Sequence, residues 1–265
     1  MPSLLLPNAT LDYEVSVSPV DPVASFVVQL HGLTSSRSRD ARLGLDLAER
    51  VNTHPVLRYD ARGHGRSTGD DDERSYRWSR LADDLIALLD VAAPGRVHGV
   101  GQSMGAGTLL HAAVCAPERF ASLVLGIPPT AWDTRAAQRE SYLDSARVVE
   151  RDGIETLVSQ SHQSPSPPAV DSNRPLTRPE VQERLLPTVF RGAAGSDLPD
   201  AARIATLGMP TLLLAWTDDP AHPLSTAQRL HELMPASTLV TARTPADTAQ
   251  WSARVAEHLG APTGR

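Results

Sequence analysis

The stretch that most constrains this chain is Gly101-Gln102-Ser103-Met104-Gly105. Just ahead of it, Val97-His98-Gly99-Val100 reads as a short buried strand, and Met104 to Ala116 reads as a helix. Two glycines around a serine at a strand-to-helix corner allow a turn that side chains would obstruct. The serine is then forced into a strained backbone position with its hydroxyl exposed above the sheet. A chain that builds such a corner must run a strand directly into a helix packed back on the same sheet. That is the repeating unit of a parallel α/β architecture.

The rest of the sequence keeps this rhythm. Leu11–Val17 alternates polar and apolar residues as a half-exposed strand does, and Ser25–Leu30 reads as a buried strand ending at His31-Gly32. Arg39–Arg50 has helical spacing through Leu43 and Leu47. Pro55–Tyr59 is the next strand, and Tyr76–Val91 is an amphipathic helix with Trp78, Leu81, Leu85, Leu88 and Leu89 on one face. Strands are expected at Leu123–Ile127, Thr211–Ala215 and Thr238–Thr241, with helices over Ser225–Leu233 and Thr248–Leu259. The interval 128–205 breaks the pattern. Trp132–Glu150 looks helical, and the seven prolines at 165, 167, 168, 175, 179, 187 and 199 suit short helices joined by rigid turns. An insertion between two core strands is a common place for a lid, so this interval is expected to form a helical cap. The chain then reads as one domain over 1–265: a mostly parallel sheet of about eight strands with helices on both faces.

Composition removes several chemistries. All 25 basic residues are arginine, so no lysine is present to form a Schiff base or to complete a phosphate-binding P-loop. The formal charge of −6 argues against a nucleic-acid partner. The single Cys115, expected as a small buried residue, rules out an internal disulfide and cysteine-rich metal sites. The acids and histidines show no metal-ligand spacing, so neither a metal nor a cofactor is expected. The apolar runs are too short to span a membrane, and the start of the chain lacks a basic leader. A cytoplasmic protein with a small-molecule acyl substrate is the expectation.

Over nearly its whole length the chain resembles the α/β-hydrolase superfamily, in particular the lipase, proline-iminopeptidase and enol-lactone-hydrolase-like members. Leu30-His31-Gly32-Leu33-Thr34 matches the family's His-Gly segment, and Tyr59-Asp60-Ala61-Arg62-Gly63-His64-Gly65-Arg66-Ser67 matches its Asp-x-Arg-Gly-x-Gly-x-Ser turn, in which Arg62 and His64 read as structural. The resemblance implies Ser103 as nucleophile, with the backbone N–H groups of Leu33 and Met104 as the oxyanion hole. In Trp216-Thr217-Asp218-Asp219-Pro220-Ala221-His222-Pro223 it implies Asp219 as the acid, with neighbouring Asp218 and the earlier Asp133 as alternatives.

The chain departs from the family at the base. Family members carry a Gly-His pair after the last strand, but the stretch from Leu239 to Trp251 holds no histidine. A serine hydroxyl needs a base to take its proton. Of the nine histidines, His222 ranks first because its place in the family tends to line the pocket, and His162 in the cap ranks next. His54 and His64 fall on sheet-edge turns, while His111, His231 and His258 are expected on outer helix faces. The resemblance implies a cofactor-independent serine hydrolase of an ester, lactone or thioester of a small or medium apolar acid. A lyase, cyclase or dehydratase on the same fold, or a catalytically silent ligand-binding member, is the alternative.

Overall fold

A computed structural model describes residues 2–17, 25–163, 165–171 and 177–260; Met1 and Pro175 lie outside the described residues. Eight strands form one sheet: β1 (Ser3–Leu6), β2 (Ala9–Ser16), β3 (Val27–Leu30), β4 (Val56–Tyr59), β5 (Val97–Gln102), β6 (Phe120–Gly126), β7 (Thr211–Trp216) and β8 (Ser237–Ala242). Their order is β1-β2-β4-β3-β5-β6-β7-β8. β1 and β2 pair antiparallel, β2 pairs antiparallel with β4, and the strands from β4 across to β8 are parallel. The helices are α1 (Arg37–Arg42), α2 (Trp78–Ala92), α3 (Met104–Cys115), α4 (Arg135–Asp152), α5 (Ile154–Gln163), α6 (Leu186–Ala194), α7 (Ala201–Ile204), α8 (Leu224–Leu233), α9 (Pro245–Thr248) and α10 (Trp251–Gly260). None is long and apolar enough to cross a membrane among the described residues.

The central strands are buried almost throughout because both faces of the sheet are covered. Successive side chains point to opposite sides, so Val28, Leu123, Leu125 and Leu213 pack with Leu85, Leu89, Leu109 and Leu110 of α2 and α3. Their neighbours Val27, Val124, Leu212 and Leu214 pack with Leu47, Trp251, Val255 and Leu259 on the other side. The turn after β4 is structural, as its sequence indicates. Arg62 donates two hydrogen bonds of 2.9 Å to Asp84, and both side chains are buried. Asp60 accepts from the backbone N–H groups of Arg37 and Arg66.

The helix expected over Arg39–Arg50 is much shorter. α1 is capped at its start by Ser36, whose hydroxyl accepts from the Arg39 N–H, and it ends at Leu43 because Gly44 turns into the left-handed region at φ 64°. The chain beyond is held by tertiary contacts, with Gln29 Oε1 accepting from the Ala48 N–H at 2.8 Å. Cys115 is exposed, since it lies at the outer end of α3 rather than on its packed face. His111 and His258 are half-buried rather than outward, and only His231 of that group is exposed.

Between β6 and β7, α4, α5 and α6 gather around a small apolar core of their own. Ala146, Val149, Ile154, Val158, Leu185 and Val189 form it, closed on the sheet side by Tyr76. No strand occurs among the described residues of this insertion. A single bridge ties Val181 to His64.

Candidate active site

Ser103 sits between the last residue of β5 and the first of α3 with φ 51° and ψ −116°, a backbone region that costs a non-glycine residue strain. The flanking glycines make this possible. A Cβ on Gly101 would lie 2.5 Å from the Gly105 carbonyl oxygen, and one on Gly105 would lie 2.5 Å from that of Leu30. The corner is fixed by hydrogen bonds from the Ser103 N–H to the Gly126 carbonyl and from the Gly107 N–H to the Ser103 carbonyl, each 3.0 Å.

The loop after β7 brings two more side chains to this serine. His222 Nε2 lies 2.8 Å from Ser103 Oγ, and His222 Nδ1 lies 2.8 Å from Asp219 Oδ2. Asp219 and His222 are only three residues apart, so the loop must fold sharply on itself. It does so through a left-handed Asp218 at φ 60° and a turn in which the Asp219 carbonyl accepts from the His222 N–H at 3.3 Å. Asp219 is then held from several sides. Its Oδ2 also accepts from Trp216 Nε1 at 2.8 Å, and its Oδ1 accepts from the Ala221 N–H at 2.9 Å. Burial alone would raise its pKa, but the hydrogen bonds from His222, Ala221 and Trp216 with the nearby imidazole outweigh that and hold it at about 2. The carboxylate is therefore ionised at any ordinary pH. Aromatic packing fixes the imidazole as well. The Trp216 ring meets His222 edge-on at 6.2 Å and stacks on Trp251 at 5.8 Å.

The other expected residues fall into two groups. Met104 is the first residue of α3, so its N–H is one of the donors that the helix cannot satisfy internally. Leu33 lies in the loop after β3, whose Gly32 would bring a Cβ to within 3.6 Å of Ser103 Cβ. Both amides therefore belong to backbone running beside the serine. Asp218 and Asp133 are exposed, and neither hydrogen-bonds to His222. His162, on α5, lines the same cavity as Ser103 without bonding to it.

Three side chains at the site escaped the sequence. Trp216 reads there only as the apolar end of a strand. Asp40 is fully buried, with its oxygens accepting from Ser35 Oγ and Gln102 Nε2 at 2.5 Å each, which anchors the residue just before the nucleophile. Burial pushes its carboxyl up to about 7. Arg39, on α1, faces the cavity. The cavity itself is open to solvent and holds about 360 Å³ beside Ser103 and His222. Among the described residues no cluster of His, Cys, Asp and Glu is arranged to hold a metal ion.

A profile of the alpha/beta hydrolase family matches residues 27–257. The chain belongs to this family. Its sequence is similar to 3-oxoadipate enol-lactonase 2 of Acinetobacter baylyi, 27% identical over 195 residues that cover 69% of this chain and 68% of the relative. It is also similar to a putative carbamate hydrolase, RutD, of Variovorax paradoxus, 42% identical over 72 residues. That second match spans 27% of each protein, so about a quarter of the relative's length. In three dimensions this alpha/beta hydrolase resembles a hydrolase from Pseudomonas aeruginosa, with a TM-score of 0.80 at 23% identity over 98% of both chains. That likeness concerns the fold.

Proposed function

We propose that the protein is a serine hydrolase of carboxylic esters, lactones or thioesters in which Ser103, His222 and Asp219 act as one unit. The observation that carries this reading is the pair of 2.8 Å contacts made by the two nitrogens of His222, one to Ser103 Oγ and one to Asp219 Oδ2. With Nδ1 donating to an ionised carboxylate, Nε2 is left as the acceptor, which is the tautomer that takes a proton from the serine.

In this scheme Ser103 Oγ attacks the acyl carbon as its proton passes to His222 Nε2. Asp219 stabilises the imidazolium that forms, and the amides of Leu33 and Met104 donate to the developing oxyanion. Collapse of the tetrahedral intermediate expels the alcohol, enol or thiol, which takes the proton from His222. Water, deprotonated by the same imidazole, then releases the acid and restores Ser103. All the proton transfers run through side chains of this chain, so the scheme needs no cofactor. The helical insertion over 128–205 serves as a cap, since Ser161, His162 and Ser166 complete the wall of the cavity. The lactone named for the A. baylyi relative falls within the proposed substrate class.

The test is covalent labelling with a fluorophosphonate followed by intact-mass measurement, alongside turnover of p-nitrophenyl and thioester substrates. One adduct on Ser103, lost in Ser103→Ala and strongly slowed in His222→Ala, is the expected result. A folded protein that takes no label and turns over no acyl substrate would sink the hydrolase reading and favour a lyase or a ligand-binding member.

A further inference from the structure

The cavity beside Ser103 holds a cation that the proposed reaction does not use. Arg39 lies on its wall, half-buried, and its Nε donates to Thr177 Oγ1 at 2.7 Å. Among the described residues Arg39 makes no ion pair, in contrast to its neighbours. Arg37 pairs with Asp12, and Arg42 pairs with Glu180. Glu180 also accepts from Ser36 and Ser38, so its carboxylate is already hydrogen-bonded elsewhere. Adjacent Asp40 is committed to Ser35 and Gln102, and its burial disfavours the charged form. Asp171, the other carboxylate on this cavity wall, is exposed to solvent. Burial lowers the Arg39 pKa by more than the nearby carboxylates of Asp40 and Glu180 raise it, so the hydration lost by the guanidinium is not fully made up. A planar guanidinium in such a place suits a carboxylate, which it can bind through two parallel hydrogen bonds.

We propose that Arg39 is a specificity residue that receives a free carboxylate of the substrate, so that the preferred acyl groups are half-esters of dicarboxylic acids or carboxylate-bearing lactones. This replaces the apolar acid expected from the sequence and rests on the serine-hydrolase reading. An analogue without the carboxylate would leave the half-buried guanidinium without an anionic partner, which is how polar sites reject apolar analogues. Thr177 takes Nε, and neither terminal nitrogen hydrogen-bonds to another of the described residues, so both are free to bind a carboxylate.

The experiment compares mono-p-nitrophenyl esters of malonic to adipic acid with neutral p-nitrophenyl esters of the same chain length. The expected result is a preference of at least tenfold in kcat/KM for the anionic ester, sharpest at one chain length. That preference should collapse towards unity in Arg39→Gln and fall only in part in Arg39→Lys. An unchanged ratio in both variants, or a wild-type preference for the neutral ester, overturns the proposal. Glutarate binding to Ser103→Ala and to the Ser103→Ala/Arg39→Gln double variant, followed by calorimetry, separates the two readings. Binding that needs Arg39 in a protein without acyl turnover would leave the carboxylate subsite standing while the hydrolase reading fell. Equal binding to both variants would remove the subsite, even if hydrolysis were observed. Should Arg39→Gln fail to fold, Arg39→Lys carries the same comparison.

Discussion

Lowering the pH from 8 to 5 sets three buried imidazoles against their surroundings. His31, His64 and His98 are all closed off from solvent, and burial lowers their pKa values to about 4, 3 and 4. In the unfolded chain each titrates near ~6.5, so at pH 5 the unfolded state binds protons that the folded state refuses. Stability is then lost as pH falls below that value, by about 2 kcal/mol for each histidine at pH 5 and about 6 kcal/mol for the three. Asp40 acts in the opposite sense. Its folded pKa of about 7 lies above the unfolded value, so the folded state takes up the proton first and gains roughly 3 kcal/mol over the same range. These four groups together give a net loss of about 3 kcal/mol, to which the lowered pKa values of half-buried His111 and His258 add in the same direction; it is a large part of the ~5–15 kcal/mol that such a domain possesses. Urea denaturation followed by tryptophan fluorescence at pH 8, 6.5 and 5 measures it. His98, which bonds Ser122 Oγ at 2.8 Å and Ser25 Oγ at 3.0 Å, can be replaced by asparagine. The pH-dependent loss should then shrink to about 1 kcal/mol, whatever the change in absolute stability. Asp40→Asn should enlarge it to about 6 kcal/mol. A wild-type stability that is flat from pH 8 to 5, or the same slope in both variants, would refute the assignment of the slope to these groups.

Other perturbations probe the site and its frame. Gly105→Ala puts a methyl group 2.5 Å from the Leu30 carbonyl oxygen, so the elbow must shift; activity is expected to disappear with a loss of roughly 1–3 kcal/mol on thermal unfolding. Trp216→Phe keeps the stacking on Trp251 but removes the Nε1 donor to Asp219, and kcat/KM for an ester should fall about tenfold, which is ~1.4 kcal/mol; an unchanged rate would mean that this hydrogen bond does not orient the carboxylate. Arg62→Met strands the buried Asp84, with only Arg80 nearby at 3.6 Å, and should cost about 3 kcal/mol in urea denaturation without changing the rate at which a fluorophosphonate labels Ser103.

What the sequence determines by itself is whatever depends on neighbours in the chain. The short buried runs of β3, β5, β6 and β7, the amphipathic stretch of α2 and the glycine-flanked Ser103 are all local patterns, and each appears in the structure close to where the residues put it. Asp219 and His222 belong to this class as well, since they are three positions apart and one turn decides their contact. The end of α1 at Leu43 was not legible, because Gly44 has no partner in the periodicity and the segment after it is held by Gln29 of a distant strand. Cys115 could not be assigned to a face, because only packing decides which side of the end of α3 meets solvent. Above all, the Ser103–His222 contact joins residues 119 positions apart, and it exists because β5 and β7 flank β6 in one sheet and run parallel, so that both end at the same edge. The same holds for Trp216 as a donor to Asp219, for Asp40 beneath Gln102, and for Arg39 facing the serine from α1. These are relations between elements whose distances are set by sheet order and by the close packing of helices against it, and a linear pattern contains neither.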